Sequence, residues 1–443
     1  MERIVSGIAA ALLVAAVLAG GAAARPAYLV PERDPALGTT IVRIAGDAGT
    51  PIAGTKGTWG RDARHVYSKQ APWNADGSLL LLQNRDGGSP ARLLLDGRTY
   101  APRALACGDE VLWDYRWHPR RAQVLVNVDK AGRELCLFDV LACRKVASWS
   151  LPVEVDGIGA GEGNLSDDGR YLALGNDDVV FVVDLSAPSG PAKTGPRFDL
   201  EPCGFEGDCT IGNLSISPSG RYVDVKFKGK IEDTKDLHRI LEVDPATLAL
   251  APHTMSAGAT RCGSFQGRTD GWIFPLKHAD MARDPFDGNE DVIVGGRSCP
   301  GNKLGRVVKV RLRDGKVTAL TDPAHEASVA HVSTRNRERP GWAYVSYFRA
   351  EGKRHSDEIV AVKLDGSRTV ERIARTHGTS KGCYRCEAHP APSPDGRRVV
   401  FASNWAEGGG GSDDIKAYVA ETAQRTTTNL PARSPSAESA RHK

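Results

Sequence analysis

Along most of the chain a short polar turn gives way to a short apolar run. The pattern reads NADGSLLLLQN at Gly77, SDDGRYLALGN at Gly169, SPSGRYVDVKF at Gly220, FDGNEDVIVGG at Gly288, RPGWAYVSYF at Gly341 and SPDGRRVVFASNW at Gly396. WHPRRAQVLVNV fits the same frame with Arg121 in the glycine place. Runs this short, bounded by Gly, Asp and Pro, predict β-strands rather than helices. The anchors recur at intervals of roughly 50 residues, a period typical of propeller blades. A lone sheet cannot cover both of its apolar faces, so repeated sheets bury them by stacking around an axis. The chain is therefore expected to be all-β, a seven-bladed β-propeller of four-stranded blades. RELCLFDV, VVFVVDL, LHRILEVD, RVVKVRLRD and DEIVAVKLD supply further strands, most running into Asp as hairpin turns require. TTIVRIAG near the start and DIKAYVAE near the end are expected to share one blade and latch the ring. Two separate β-sandwiches would not explain a spacing that runs the whole length.

Composition narrows the function classes. Among 443 residues there are 48 Gly and 26 Pro, a turn density that argues against a helical bundle. Lys and Arg total 58 against 54 Asp and Glu, a net +4. That balance lacks the electrostatic footprint of a dedicated nucleic-acid binder.

Residues 1–24 read as a secretory signal: Arg3, the apolar run IVSGIAAALLVAAVLAGG, then the small residues Ala22, Ala23 and Ala24. An uncleaved membrane anchor is the alternative. No later stretch approaches the roughly 20 apolar residues of a membrane span. The expected organisation is a signal at 1–24, one propeller domain at 25–421 and a polar, disordered tail at 422–443. The expected location is periplasmic or secreted, with no membrane span after cleavage, as a monomer. Nine Cys in an exported chain suggest disulfides. Cys136 with Cys143, Cys203 with Cys209, and Cys383 with Cys386 are the close pairs. Cys107, Cys262 and Cys299 are left unassigned.

Three histidines precede the turn in successive repeats. His278 and His331 lie ahead of Gly288 and Gly341, and His389 ahead of Gly396. Imidazoles on adjacent inner strands can converge on one divalent cation and leave a position open. They also read as unrelated channel-lining residues. The stretch RHVYSKQ places Arg64, His65, Tyr67 and Lys69 together as acid or base candidates. His65 and Tyr67, two apart, would face one side of a strand. His377 in ARTHGTS leads toward His389 and is a further catalytic candidate. Gln70, Asp114, Glu162 and Asn213 each sit seven residues before their anchor, as a polar rim suited to a hydrated ligand. GGGGSDD lacks the Gly-Lys-Ser/Thr ending of a phosphate loop, and HExxH does not occur.

The Ser-Pro-Asp-Gly turn followed by RRVVFAS resembles the TolB propeller repeat, a likeness at the level of fold. The fragments HADMARD, AHVS, GWAYVSYF and HPAPSPDGRRVVFASNW are similar to oligogalacturonate lyases and related propeller polysaccharide lyases. That resemblance implies a divalent metal in the central cavity, held mostly by histidines. His389 matches the ligand nearest the last turn, and His331 the one on an earlier blade. Where that family reads Gln-x-x-His-x-His, this chain has Tyr384 for the Gln and Glu387 for a His. Glu387 offers an oxygen that a hard cation accepts. The expected ligand set is thus His278, His331, His389 and Glu387, with Mn, Zn or Ca as the ion. The implied chemistry is β-elimination, in which a base removes the proton α to a uronate carboxylate. One expectation is therefore a lyase acting on acidic oligosaccharide. The other is a non-catalytic propeller that binds a protein or glycan partner in the cell envelope.

Overall fold

The computed structural model describes residues 24–103, 112–203, 209–229, 237–255, 270–297, 307–322, 325–379, 383–406 and 413–422. Nearly all of the expected signal and of the tail, and Cys107, Cys262 and Cys299, lie outside them. Among the described residues no helix is long and apolar enough to cross a membrane.

The repeated turn has one construction. Gly396 N–H donates to the Ser393 carbonyl at 2.8 Å, and Ser393 N–H to the Arg398 carbonyl at 2.8 Å. The same pair of bonds recurs from Gly169 to Ser166 and from Ser166 to Tyr171, and again from Gly220 to Ser217 and from Ser217 to Tyr222. Six anchor glycines, at 77, 169, 220, 288, 341 and 396, all have φ between 66° and 84°. Only Gly takes that conformation without steric cost. At Gly396 a Cβ would also meet the Tyr344 hydroxyl at 2.4 Å.

These turns join strands into antiparallel stacks. The largest array has nine strands in two halves. One half runs Ala391–Pro392, Arg398–Ser403, Ile415–Glu421, Thr40–Arg43 and Pro31–Arg33. The other runs Asp62–Arg64, Leu79–Arg85, Arg92–Asp96 and Pro102–Arg103. A short parallel contact of Asp62–Arg64 with Ile415–Glu421 joins them. Thus the early and late strands do pair, Thr40 opposite Glu421 and Arg43 opposite Tyr418.

Five further sheets follow in chain order. The next contains Asp114–Trp117, Val124–Val128, Glu134–Asp139 and Arg144–Ser150. Then come Tyr171–Gly175 with Val179–Asp184 and Phe198–Asp199, and next Ile211–Ile216, Tyr222–Phe227, Leu237–Val243 and Leu250–Pro252. The last two are Leu276–Asp284 to Val317–Ala319 and Val329–Ser333 to Val370–Arg375, four strands each. Strand number therefore varies from sheet to sheet rather than holding at four. The three-stranded sheet is short on its inner side because Gly157, Gly159 and Gly161 all take positive φ, which interrupts a strand.

The core lies between sheets. One cluster joins Val180 and Val182 to Leu214 and Val223, another Val292 and Val294 to Val345 and Val360, and another Tyr344 and Ile359 to Phe401 and Tyr418. A further cluster joins the two halves of the nine-stranded array through Val400 and Val419 against Leu80 and Leu82.

The cysteines correct one expectation. Cys203–Cys209 and Cys383–Cys386 are bonded, with Cα atoms 5.7 and 5.3 Å apart. Cys136, however, is a buried free thiol, while Cys143 is disulfide-bonded elsewhere. The hairpin register explains this. Ser148 stands opposite Cys136, whereas Cys143 lies in the turn.

Candidate metal centre

Irregular backbone places the candidate ligands. The strand Leu276–Asp284 slips register between Lys277 and Asp280, and Val329–Ser333 slips between Val329 and His331. Such bulges re-aim side chains, here His278 and His331. His278 and His389 have φ of 48° and 43°, and His377 has 52°. A non-glycine residue held there stores strain of about 1–3 kcal/mol, and such strain gathers at functional sites.

Three side chains converge. The ligand atoms of His331, Glu387 and His389 all lie within 4.8 Å of one another. His331 and His389 are fully buried, their ring centroids 3.9 Å apart. His331 Nδ1 is 3.5 Å from Glu387 Oε2. Two ligands bonded to one ion at about 2.0–2.2 Å stand no more than about 4.4 Å apart. The trio is therefore at, or within tenths of an ångström of, coordinating separation.

The polar atoms of this group fit an ion. His331 Nδ1 and Nε2, His389 Nδ1 and Glu387 Oε2 are buried without a hydrogen-bond partner. Orphaned buried groups are costly unless something binds them. Burial drives His331 well below its usual range, and the charges of His389 and His278 push the same way. Burial does the same to His389, with Arg64 and His65 adding to it. Both rings are thus neutral, the form a metal binds. His389 Nε2 donates to the Tyr384 carbonyl at 3.2 Å, which leaves Nδ1 as the free ligand atom. Burial pushes the Glu387 carboxyl up, while Lys277 and Arg64 pull it back in part.

The other candidates take different places. The His278 ring is 4.3 Å from that of His331, and its Nδ1 faces the Tyr67 hydroxyl at 2.9 Å. His278 therefore flanks the trio. Burial, then Glu162 and Tyr384, hold the Tyr67 phenol well above its usual range, so it donates to His278. His65 and Tyr67 lie beyond the end of Asp62–Arg64, and the two-residue alternation does not govern them. His65 is fully buried and its Nε2 meets the His389 carbonyl at 2.5 Å. Burial and Arg64 lower it to about 3, which suits a supporting contact better than proton transfer. His377 stacks on Trp405 with ring centroids 4.4 Å apart. Of the polar rim, Glu162 pairs with the buried Lys69 at 2.8 Å, Asp114 with Arg116 at 2.6 Å, and Gln70 donates to the Gly161 carbonyl. Asn213 Oδ1 is buried without a partner.

Of the trio, Glu387 is the member that faces a cleft, while His331 and His389 are fully buried behind it. Glu387 lies in the wall of a cleft of about 390 Å³, with Ala330, Ser346, Thr376 and Cys386. Tyr384 is 53% exposed and presents its ring edge-on to His389 at 5.1 Å. The Cys383–Cys386 disulfide closes the 3-10 turn that carries the Tyr384 carbonyl. A Cys383→Ser, Cys386→Ser double variant should thus loosen the His389 support. Metal affinity, measured by competitive chelation, is expected to fall about 10–100-fold while the fold is kept. Unchanged affinity would show that the turn holds itself.

Sequence reading missed Asp62, Arg85 and Arg385. Asp62 and Arg85 belong to the same hairpin as Arg64, whereas Arg385 reaches Asp62 from 323 residues away, and no local motif marks them.

The sequence matches no family model and no curated protein. Solved structures do match. An oligogalacturonate lyase in complex with manganese aligns over 89% of this chain and 96% of its own, at 15% identity and a TM-score of 0.56. The oligogalacturonate lyase of Vibrio parahaemolyticus aligns over the same shares, at 12% identity and a TM-score of 0.53. At such identities the likeness is one of fold. This chain is an all-β propeller protein that resembles oligogalacturonate lyase.

Proposed function

We propose that this chain is a metal-dependent lyase that cleaves uronate-containing oligosaccharides by β-elimination, on a propeller of seven blades. The observation that carries the reading is the trio His331, Glu387 and His389, with both imidazoles buried and neutral, Glu387 half-buried, and the atoms that would bind unpartnered. The manganese in the similar lyase structure supports it. Counting the halves of the nine-stranded array as two blades gives seven stacks, and the apolar clusters that join successive stacks support that count. Two nitrogens and a carboxylate suit Mn or Zn better than Ca, which prefers oxygen ligands.

A bound divalent ion would neutralise the substrate carboxylate and make the neighbouring C–H more acidic. The chain's own residues do the rest. His65 holds the backbone of His389, and the Tyr384 carbonyl fixes its ring. Tyr67 and His278 form the proton-handling pair beside the trio. Tyr384 offers an exposed aromatic face to a sugar ring. The enzyme would work as an exported monomer, its mature chain starting at Arg25.

The test is metal content together with absorbance at the unsaturated-uronate band, across pectic and other uronates. About one ion per chain and metal-dependent growth of the band are expected. No ion and no turnover across the panel would leave the envelope-binding scaffold as the better account.

A further inference from the structure

Three guanidinium groups gather around Asp62 on the strand beside the trio, and Arg64 is the buried one. Asp62 and Arg64, two residues apart on Asp62–Arg64, are 1% and 2% exposed. Arg85 stands opposite Asp62 in the adjacent strand. Arg385, from the disulfide-closed turn, donates through Nε to Asp62. Asp62 is thereby engaged by Arg385, and its other oxygen lies 3.7 Å from Arg64 Nε, too far for a hydrogen bond. Arg64 Nε and Nη1 have no hydrogen-bond partner. Burial, then the charge of Arg385, lower Arg64 to about 10. It keeps its proton at neutral pH all the same.

Three guanidinium groups thus share one carboxylate. Glu387 is a further carboxylate within the field of Arg64, and it belongs to the metal trio. A buried cation whose donors are left without hydrogen bonds is costly unless a ligand completes it. Arg64 also acts electrostatically on His65, His331 and His389, which puts it beside the trio. A guanidinium fork matches a carboxylate, with two parallel hydrogen bonds.

We infer that Arg64 receives the carboxylate of an acidic sugar, so that the chain itself, and not the ion alone, selects uronates over neutral sugars. This rests on the reading that the site takes a uronate, and it adds the residue that recognises the acid. Asp62 and Arg385 position the fork. Arg385 takes up the Asp62 carboxylate and leaves Arg64 to the ligand.

The experiment titrates the full chain with oligogalacturonate and with its methyl ester, in metal-loaded and in chelated protein. The acid should bind at least about tenfold more tightly than the ester in both forms, since a site built for a charged partner rejects an analogue lacking it. Arg64→Gln should erase that preference with metal content unchanged, and Arg64→Lys should restore part of it. Loss of the preference on chelation would assign the carboxylate to the ion and overturn the inference. So would a preference kept in Arg64→Gln, or no binding of the acid to chelated protein at millimolar concentration. Should Arg64→Gln fail to fold, the chelated unmodified protein still decides. Absence of elimination with the acid preference intact would count against the lyase reading and leave the role of Arg64 standing.

Discussion

His331→Leu is expected to abolish metal retention and to reduce turnover at least about a thousandfold, the scale on which electrostatic stabilisation of a developing anion acts. Leucine fills a similar volume, so the packing against His278 and His389 is kept. Stability should move the other way. The metal-free variant discards two buried nitrogens that have no partner, so it should be at least as stable as the metal-free parent. Added metal should raise the parent's Tm, by about 4 kcal/mol of stability at a thousand times Kd, and leave the variant unmoved. Calorimetry with and without metal reads both effects. A variant less stable than its metal-free parent would mark His331 as a packing residue instead.

Ending the chain after Asp414 is expected to destroy cooperative folding, whereas ending it after Thr422 should be harmless. The strand Ile415–Glu421 pairs on one side with Arg398–Ser403 and on the other with Thr40–Arg43, and it touches Asp62–Arg64. Ala417, Tyr418, Val419 and Ala420 are all fully buried in it. Removing it strips the apolar face from two clusters and leaves two open strand edges. A typical domain has only about 5–15 kcal/mol to lose, and two or three large buried side chains account for that much. Thr422 bonds to the Arg397 carbonyl at 2.9 Å and marks the end of this closure. Urea unfolding of the two truncations distinguishes the cases. A sharp transition in the shorter chain would mean that the first and last strands do not hold the fold together.

What could be read from the sequence follows from how local each signal is. The repeated turn was readable because one residue type, Gly at positive φ, recurs at a fixed place before each apolar run. The pairing of the early and late strands was expected because a ring of repeats has to be latched where its two ends meet. The positions of His331 and His389 ahead of their turns pointed to a shared site, and the fold brings them together. Glu387 came from comparing one short stretch with a family pattern. Other features depend on distances that no spacing encodes. The bulge at Lys277–Asp280 turns His278 toward Tyr67, and a register slip of this kind has no composition of its own. The Cys136 error came from assuming that nearness in sequence means opposition in a hairpin, when the register sets Ser148 there. Asp62 and Arg385 are 323 residues apart and meet through closure of the whole chain.

One ion held by His331, Glu387 and His389 is central to the proposed activity. Crystals of the protein soaked in manganese, with anomalous diffraction collected at a wavelength where manganese scatters strongly, test this most directly. A single strong peak is predicted within bonding distance of His331, Glu387 and His389, with one ion per chain by elemental analysis. A map with no peak there, from protein that binds its substrate normally, would contradict it.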